Sequence, residues 1–313
     1  MNILITAIGS FSADCVVQSL TRAGHRVIGC DIYPSEWHPV SKDCYKFYQV
    51  PFATEEDKYI EALLQICSAE HIDMLFPLTD LEIDVLNRHR VSFAMHNVHL
   101  CIQSEYCLSI ARNKHEQAKF FKGSIVNVPD TILVTDDISS MTFPAIAKPY
   151  DGRSSEGLHR LIAREDLSII RNPEKYIIQE QLPGSVYTVD YVRDTCGNDF
   201  SVPREELLRT KNGAGTTVRI TPSEKLRDMA SFVGSRLDVV GCINMEFIDC
   251  YGKFYLIDIN PRFSAGVAFS NCIGYDMVKN HLNAFLNLCI DSPVAFREQI
   301  IAKRYKEEVI CVK

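Results

Sequence analysis

The sequence predicts an α/β protein in which a βαβ domain precedes a mixed body of strands and helices. Three observations carry that reading. Over the first hundred residues, segments with the two-residue period of strands alternate with segments of helical period. Around residues 143–162, two strand-like runs flank a loop of glycine and serine. Residues 243–260 read as a hairpin rich in acids and amides, ending in Leu256-Ile257-Asp258-Ile259-Asn260-Pro261-Arg262.

Residues 2–7 form a strand, and residues 13–23 a helix with Val16, Val17 and Leu20 at helical spacing. Gly24 stops that helix, and residues 26–31 make a second strand ending in Asp31. A dinucleotide site has this outline, but the turn Ala7-Ile8-Gly9-Ser10-Phe11-Ser12 lacks two of the three fingerprint glycines. An NAD(P)-dependent oxidoreductase is therefore the weaker reading. A second unit follows, with a strand at 48–50, a helix at 58–70 and a strand at 74–77. Thr79 or Asp80 caps the next helix, and the first domain ends near residue 100.

Residues 104–122 read as one helix with Lys114 inside it, where a solvated lysine is the commoner case. New strands start at 131–134 and at 143–149, the latter ending in Lys148-Pro149. The loop Tyr150-Asp151-Gly152-Arg153-Ser154-Ser155-Glu156-Gly157 is no Walker A motif, since no Gly-Lys-Ser/Thr follows. Its small residues still present backbone N–H groups to an anion, and Lys148 adds a point charge. A plain hairpin with an exposed lysine is the alternative. Residues 175–184 are a strand breaking into the hinge Pro183-Gly184. Residues 188–193 are a strand. Residues 198–217 hold Arg204, Arg209, Lys211, Gly213 and Gly215, as a hairpin arm or a substrate lid. A helix covers 224–237, and the tail from residue 276 is mostly helical.

The hairpin at 243–260 carries the chemistry. If Ile248 pairs with Phe254, Glu246 faces Leu256 and Asn244 faces Asp258. Asn244, Glu246, Asp258 and Asn260 then line one face, with Ile257 and Ile259 on the core side. A slip of one residue would separate Glu246 from Asp258. Two carboxylates about 4 Å apart repel by roughly 4 kcal/mol at an effective dielectric of about 20. A divalent cation turns that repulsion into binding. Pro261 ends the pairing and leaves Arg262 beside the acids to hold an anion.

The bulk numbers exclude other classes. A chain of 313 residues, 46% apolar and 23% charged, makes about two globular domains. A net charge of −7 argues against nucleic acid as the partner. The 12 cysteines form no C-x-x-C pair, which argues against a zinc site. No signal-peptide pattern and no membrane-length apolar run occur, so the expected location is cytoplasmic.

Taken in order, these residues resemble the ATP-grasp superfamily over nearly the whole chain. They are Lys114, Lys148 with Ser154-Ser155-Glu156-Gly157, the hinge Gln179-Glu180-Gln181-Leu182-Pro183-Gly184, Glu246, and Asp258-Ile259-Asn260-Pro261-Arg262. The Asn-Pro-Arg segment and the domain order look most like the large chain of carbamoyl-phosphate synthase and its stand-alone relatives. The stretch from Lys148 to Gly157 is also similar to D-alanine–D-alanine ligase. The resemblance implies a Rossmann-like pre-ATP-grasp domain (1–103), a small grasp subdomain with a preceding helix (104–185) and a C-terminal subdomain with the metal site (186–313). It implies an ATP- and Mg2+-dependent (or Mn2+-dependent) carboxylate-amine ligase. Lys114, Lys148, Gly152, Ser154, Ser155 and Gly157 would hold phosphates, and Gln179, Glu180 and Leu182 the adenine. Glu246, Asp258 and Asn260 would bind metal, with Arg262, Arg219 and Lys148 at the transferring phosphoryl group. Partners would be a small carboxylate and an amine, selected by the N-terminal domain and residues 204–215, with a homodimer as the candidate assembly.

Two departures stand out. Val186 occupies the place of the family's ribose-binding acid, and Asp258 is shorter than the usual Glu. A non-catalytic or regulatory ATP-binding protein is thus the runner-up. A complete carbamoyl-phosphate synthase is the less expected reading, because that enzyme has two grasp units and this sequence shows one.

Overall fold

The computed structural model describes residues 1–152, 156–211, 213–305, 307 and 309. The expectations for Ser154 and Ser155 lie outside the described residues.

Unbroken apolar runs in the first strands demand burial on both faces, and a parallel sheet supplies it. Strands β1 (Asn2–Ile5), β2 (Arg26–Asp31), β3 (Lys46–Gln49), β4 (Met74–Phe76) and β5 (His99–Leu100) form that sheet in the order β3-β2-β1-β4-β5. Helices α1 (Ala13–Arg22), α2 (Glu56–Glu70), α3 (Asp80–Arg88) and α4 (Arg90–Met95) accompany it. Ile3 and Ile5 enter one core and Leu4 another, as strand alternation requires. Asp31 closes the first turn, accepting from the Gly9 N–H at 2.9 Å and lying 3.2 Å from His38. The acid that a dinucleotide site would spend on ribose is thus committed to the fold.

The single helix expected over 104–122 is two helices, α5 (Glu105–Ala111) and α6 (Lys114–Phe121). Asn113 breaks the run, because its side chain accepts from the N–H groups of His115 and Glu116 and starts a new helix. Lys114 is consequently the first residue of α6 rather than an interior one.

Two antiparallel sheets follow. The smaller contains β6 (Thr131–Leu133), β7 (Ala145–Pro149), β8 (His159–Leu161) and β9 (Tyr176–Glu180), ordered β6-β9-β7-β8. The larger contains β10 (Ser185–Arg193), β11 (Asp199–Arg209), β12 (Gly215–Ile220), β13 (Gly241–Cys250), β14 (Lys253–Asn260) and β15 (Gln299–Ala302), ordered β14-β13-β10-β11-β12-β15. Helices α7 (Glu224–Arg236), α8 (Val267–Cys272) and α9 (Met277–Phe285) complete the body. The tail is therefore helical only to residue 285, and β15 then adds an edge strand to the larger sheet. The segment read as arm or lid is the β11–β12 hairpin within that sheet.

One face of the larger sheet packs Val189, Tyr191, Met245 and Phe247 against Leu226, Met229, Ala230 and Val233 of α7. On the other face, Val192, Phe200, Val202, Val218 and Ile220 share a core with β1, α1 and α9. That second core ties the N-terminal domain to the larger sheet. Among the described residues, no helix is long and apolar enough to cross a membrane.

The chain passes between the two antiparallel sheets at Pro183-Gly184. A Cβ on Gly184 would lie 1.8 Å from the Asp249 carbonyl oxygen, and its φ of 151° already disfavours an L side chain. Gly184→Ala is expected to cost about 1–3 kcal/mol through this overpacking, read by denaturant unfolding. Gly252→Ala, where a Cβ meets no atom within 4 Å, is expected to cost less.

Candidate active site

The β13–β14 hairpin turns through Tyr251 and Gly252, with φ of 54° and 81°, the left-handed pair that suits a two-residue hairpin loop. From it the ladder runs Cys250 to Lys253, Asp249 to Phe254, Ile248 to Tyr255 and Phe247 to Leu256. Ile248 thus pairs with Tyr255 and not with Phe254. Continued unbroken, that register would put Asp258 on the opposite face from Glu246. A β-bulge next to Phe247 inserts Ile257 as an extra residue, and the ladder resumes with Glu246 opposite Asp258 and Asn244 opposite Asn260. The four polar residues share a face, as expected, but through the bulge. Ile257 does not face the core; it lines a cavity beside Asp258, while Leu256 and Ile259 are buried under α7.

Lysines approach these acids from two other elements. The Lys114 backbone N–H donates to the Tyr150 carbonyl at 2.8 Å. Its Nζ lies 2.7 Å from the Gly152 carbonyl oxygen and 3.1 Å from Asp258 Oδ1. With a side chain 8% exposed, it is not the solvated lysine of an average helix. Lys148, at the end of β7, is half-buried. Desolvation pushes its pKa down to about 8, helped by the Lys114 charge and opposed by Asp258 and Glu246. Burial pushes the Glu246 carboxyl up, against the pull of Arg209, whose Nη2 lies 3.0 Å from Oε1. Lys114, Lys148, Gly152, Arg209, Glu246 and Asp258 line one cavity of about 200 Å3.

Each of the two acids thus has a cation beside it, Arg209 at Glu246 and Lys114 at Asp258. The donor set still fits Mg2+. Two carboxylates stand opposite each other, with the Asn260 amide one ladder step away. Among the described residues, no group of three His, Cys, Asp or Glu side chains could hold a metal alone. Mg2+ commonly takes one or two protein carboxylates and completes its shell with water and substrate phosphates. Asn260 fits less well than the acids, because Arg262 Nη2 lies 3.3 Å from its Oδ1.

A second cavity of about 250 Å3 shares Arg209, Glu246 and Asp258 with the first and adds Phe11, Arg204, Glu206, Asn244, Asn260, Arg262 and Ser264. Arg262 reaches Asp80 Oδ2 at 2.8 Å, and Arg204 bonds Asp190 at 2.6 Å and Ser264 at 3.0 Å. Arg219 is not part of this site. It pairs across the ladder with Glu205 and, through it, Tyr187, which is the row facing away from Glu246. Its guanidinium bonds Glu205 at 2.6 Å. Arg209 and Arg204, read in the sequence only as basic residues of an arm, share that cavity with Glu246 and Arg262.

The hinge residues lie apart from the lysine cavity. Gln179 donates to Thr131 Oγ1 at 2.8 Å, and the Glu180 N–H donates to the Asp130 carbonyl at 3.2 Å while its carboxylate accepts from the Asp130 N–H at 3.3 Å. Leu182 is half-buried in the crossover. A Cβ on Gly157 would lie 2.7 Å from the Tyr176 hydroxyl, so this end of the loop is pressed onto β9.

Comparison with known proteins agrees with this architecture. The ATP-grasp domain family matches residues 111–266, and the PylC-like N-terminal domain family matches residues 3–101. A carbamoyl phosphate synthase large chain from Agathobacter rectalis is 28% identical over 165 residues, which is 47% of this chain and 15% of that protein. The match therefore spans only a small part of that relative's length. Biotin carboxylase from Campylobacter jejuni superposes with a TM-score of 0.78 at 15% identity, covering 93% of this chain and 72% of that one. N5-carboxyaminoimidazole ribonucleotide synthetase from Thermotoga maritima gives 0.73 at 20% identity, covering 96% and 79%.

The Lys148 ammonium is charged below about pH 8 and neutral above it. With metal chelated, ATP binding followed by calorimetry is expected to weaken by up to about tenfold from pH 7 to pH 9, the equivalent of about one pKa unit. Lys148→Arg, which stays charged, is expected to flatten the profile. A flat wild-type profile would contradict the role of Lys148.

Proposed function

We propose that this chain, an ATP-grasp relative of the carbamoyl phosphate synthase large chain, is an ATP- and Mg2+-dependent ligase joining a carboxylate to an amine. The observation that supports the reading best is the opposed pair Glu246 and Asp258, met by Lys114, Lys148 and Arg209 where two cavities join.

In this reading ATP lies between the loop at 151–157 and the β13–β14 hairpin. Lys114 and Lys148 hold its phosphates, and Gly152, Ser154, Ser155 and Gly157 close over them. Gln179 and the backbones of Glu180 and Leu182 hold the adenine. Glu246 and Asp258, with Asn260 at the margin, hold the metal, which when bound supplies charge to the phosphate oxygens. A metal held by the two acids would leave Lys114 and Arg209 to pair with phosphate.

The substrate carboxylate occupies the second cavity. Its oxygen attacks the γ-phosphorus in line, the bond to ADP breaks, and an acyl phosphate forms. Lys148 and Arg262 hold the charge of the transferring group, so the protein acts by positioning and fixed electrostatics. The amine nitrogen then bonds to the acyl carbon, phosphate leaves and the amine loses a proton. Closure of the loop keeps water from the acyl phosphate. A binding-only protein would have less use for a desolvated lysine facing two acids.

A phosphate-release screen with pooled amino acids and small carboxylates tests the activity. Asp258→Ala and Lys148→Ala are each expected to lower the rate by about 10²–10³ or more, the scale of losing one preorganised charge, with the melting transition retained. Full turnover in folded Asp258→Ala would sink the assignment.

A further inference from the structure

We propose that Asp80, in the N-terminal domain, is a positioning residue that fixes the Arg262 guanidinium at the phosphoryl-transfer end of the site; this rests on the ligase reading.

By sequence Asp80 is an ordinary acid at a helix start, and the structure gives it a different task. The residue preceding α3 is Thr79, whose hydroxyl bonds the Glu82 carboxylate at 2.7 Å. Asp80 is the first residue of the helix and is 3% exposed. Its carboxylate leaves its own domain and meets Arg262, 182 residues along the chain, at 2.8 Å. The other carboxylate oxygen has no hydrogen-bond partner, and the group that faces it is Arg112, whose Nη1 lies 3.8 Å away. A buried carboxylate without partners is costly, so its placement between two guanidinia is a strong constraint on both.

The rest of the arrangement shows which atoms are being fixed. Among the described residues, the Arg262 guanidinium makes two other hydrogen bonds, at 3.1 Å to the Phe263 carbonyl oxygen and 3.3 Å to Asn260 Oδ1. Both are longer than the bond to Asp80, and both come from its own strand end. Asp80 is thus the anchor from outside that strand, and it selects one rotamer of a long side chain. One turn further on α3, Asp84 holds Arg112 through two bonds of 2.9 Å each. Arg112 lies two residues before Lys114, so one face of α3 holds an arginine next to Lys114 and another next to Asn260. Phe11, in the turn after β1, lines the cavity that Arg262 lines. A displacement of the N-terminal domain therefore moves a cavity wall and the Asp80 anchor together.

The test is a double-mutant cycle on the full chain, combining Asp80→Asn with Arg262→Gln. The readouts are phosphate release from Mg·ATP in the presence of the acceptor pool, and calorimetric binding of a non-hydrolysable ATP analogue with Mg2+. Asp80→Asn is expected to lower kcat at least about tenfold, while analogue affinity and the KM for ATP stay within about threefold. In the Arg262→Gln background the same substitution is expected to change kcat by less than about twofold, because Asp80 acts through Arg262. An unchanged rate in Asp80→Asn overturns the proposal, as does an equal loss in both backgrounds. If Asp80→Asn does not fold, Asp80→Glu keeps the charge and displaces it by one carbon. It is expected to lower kcat with affinity retained, and an unchanged kcat overturns the proposal. Failure of the wild-type protein to bind the Mg·analogue overturns the ligase reading instead.

Discussion

Everything at the site depends on one extra residue in a strand. A two-residue turn sets the β13–β14 register so that, without correction, Asp258 would face α7 and the core. The bulge at Ile257 restores the parity and presents Asp258 and Asn260 beside Glu246 and Asn244. The core holds this arrangement from below. Leu256 and Ile259 are each 1% exposed and sit on either side of the bulge. Without the bulge Leu256 would stay inward, but Ile259 would leave the core and Asp258 and Asn260 would enter it. Burial of a leucine or isoleucine is worth about 1.5–3 kcal/mol, so the hydrophobic face fixes the position of the polar one.

With both acids on one face, their charges need partners, and the structure supplies them from separate elements. Lys114 begins α6 and Arg209 ends β11, so the carboxylates draw together the smaller sheet's loop, the β11–β12 hairpin and the β13–β14 hairpin. These contacts are polar and only partly buried, and they are exchangeable. A cation taking the carboxylates would leave Lys114 and Arg209 for an anion. The same interactions hold both side chains beside the two acids. Arg262 differs, since its main partner lies in another domain and in the protein interior.

Much of this was legible in the sequence, and the misses have physical causes. The βαβ units, the acid-and-amide strand end and Lys148 before its loop are local patterns. Periodicity and spacing report such patterns directly. The split of residues 104–122 was also local, since Asn113 is a strong capping residue within a helical pattern, and it was passed over. Arg219 was misplaced because alternation along β12 says only that it faces away from Val218 and Ile220. Which of those faces meets Glu246 is decided across β10 and β11, by a register that the sequence does not print. The contacts of Arg209 with Glu246 and of Asp80 with Arg262 escaped the sequence for a related reason. The partners lie 37 and 182 residues apart in the chain, and charge alone does not reveal a partner at that distance. The shared face of Glu246 and Asp258 is legible in the sequence, whereas the cations Lys114 and Arg209 beside them show only in three dimensions.

The central claim is that the bulged hairpin and the two lysines form a metal-assisted ATP site. It is tested most directly by calorimetric titration of the wild-type protein with a non-hydrolysable ATP analogue, with and without Mg2+. The account predicts saturable one-to-one binding that tightens when Mg2+ is present. Absence of binding, or binding indifferent to Mg2+, would contradict it.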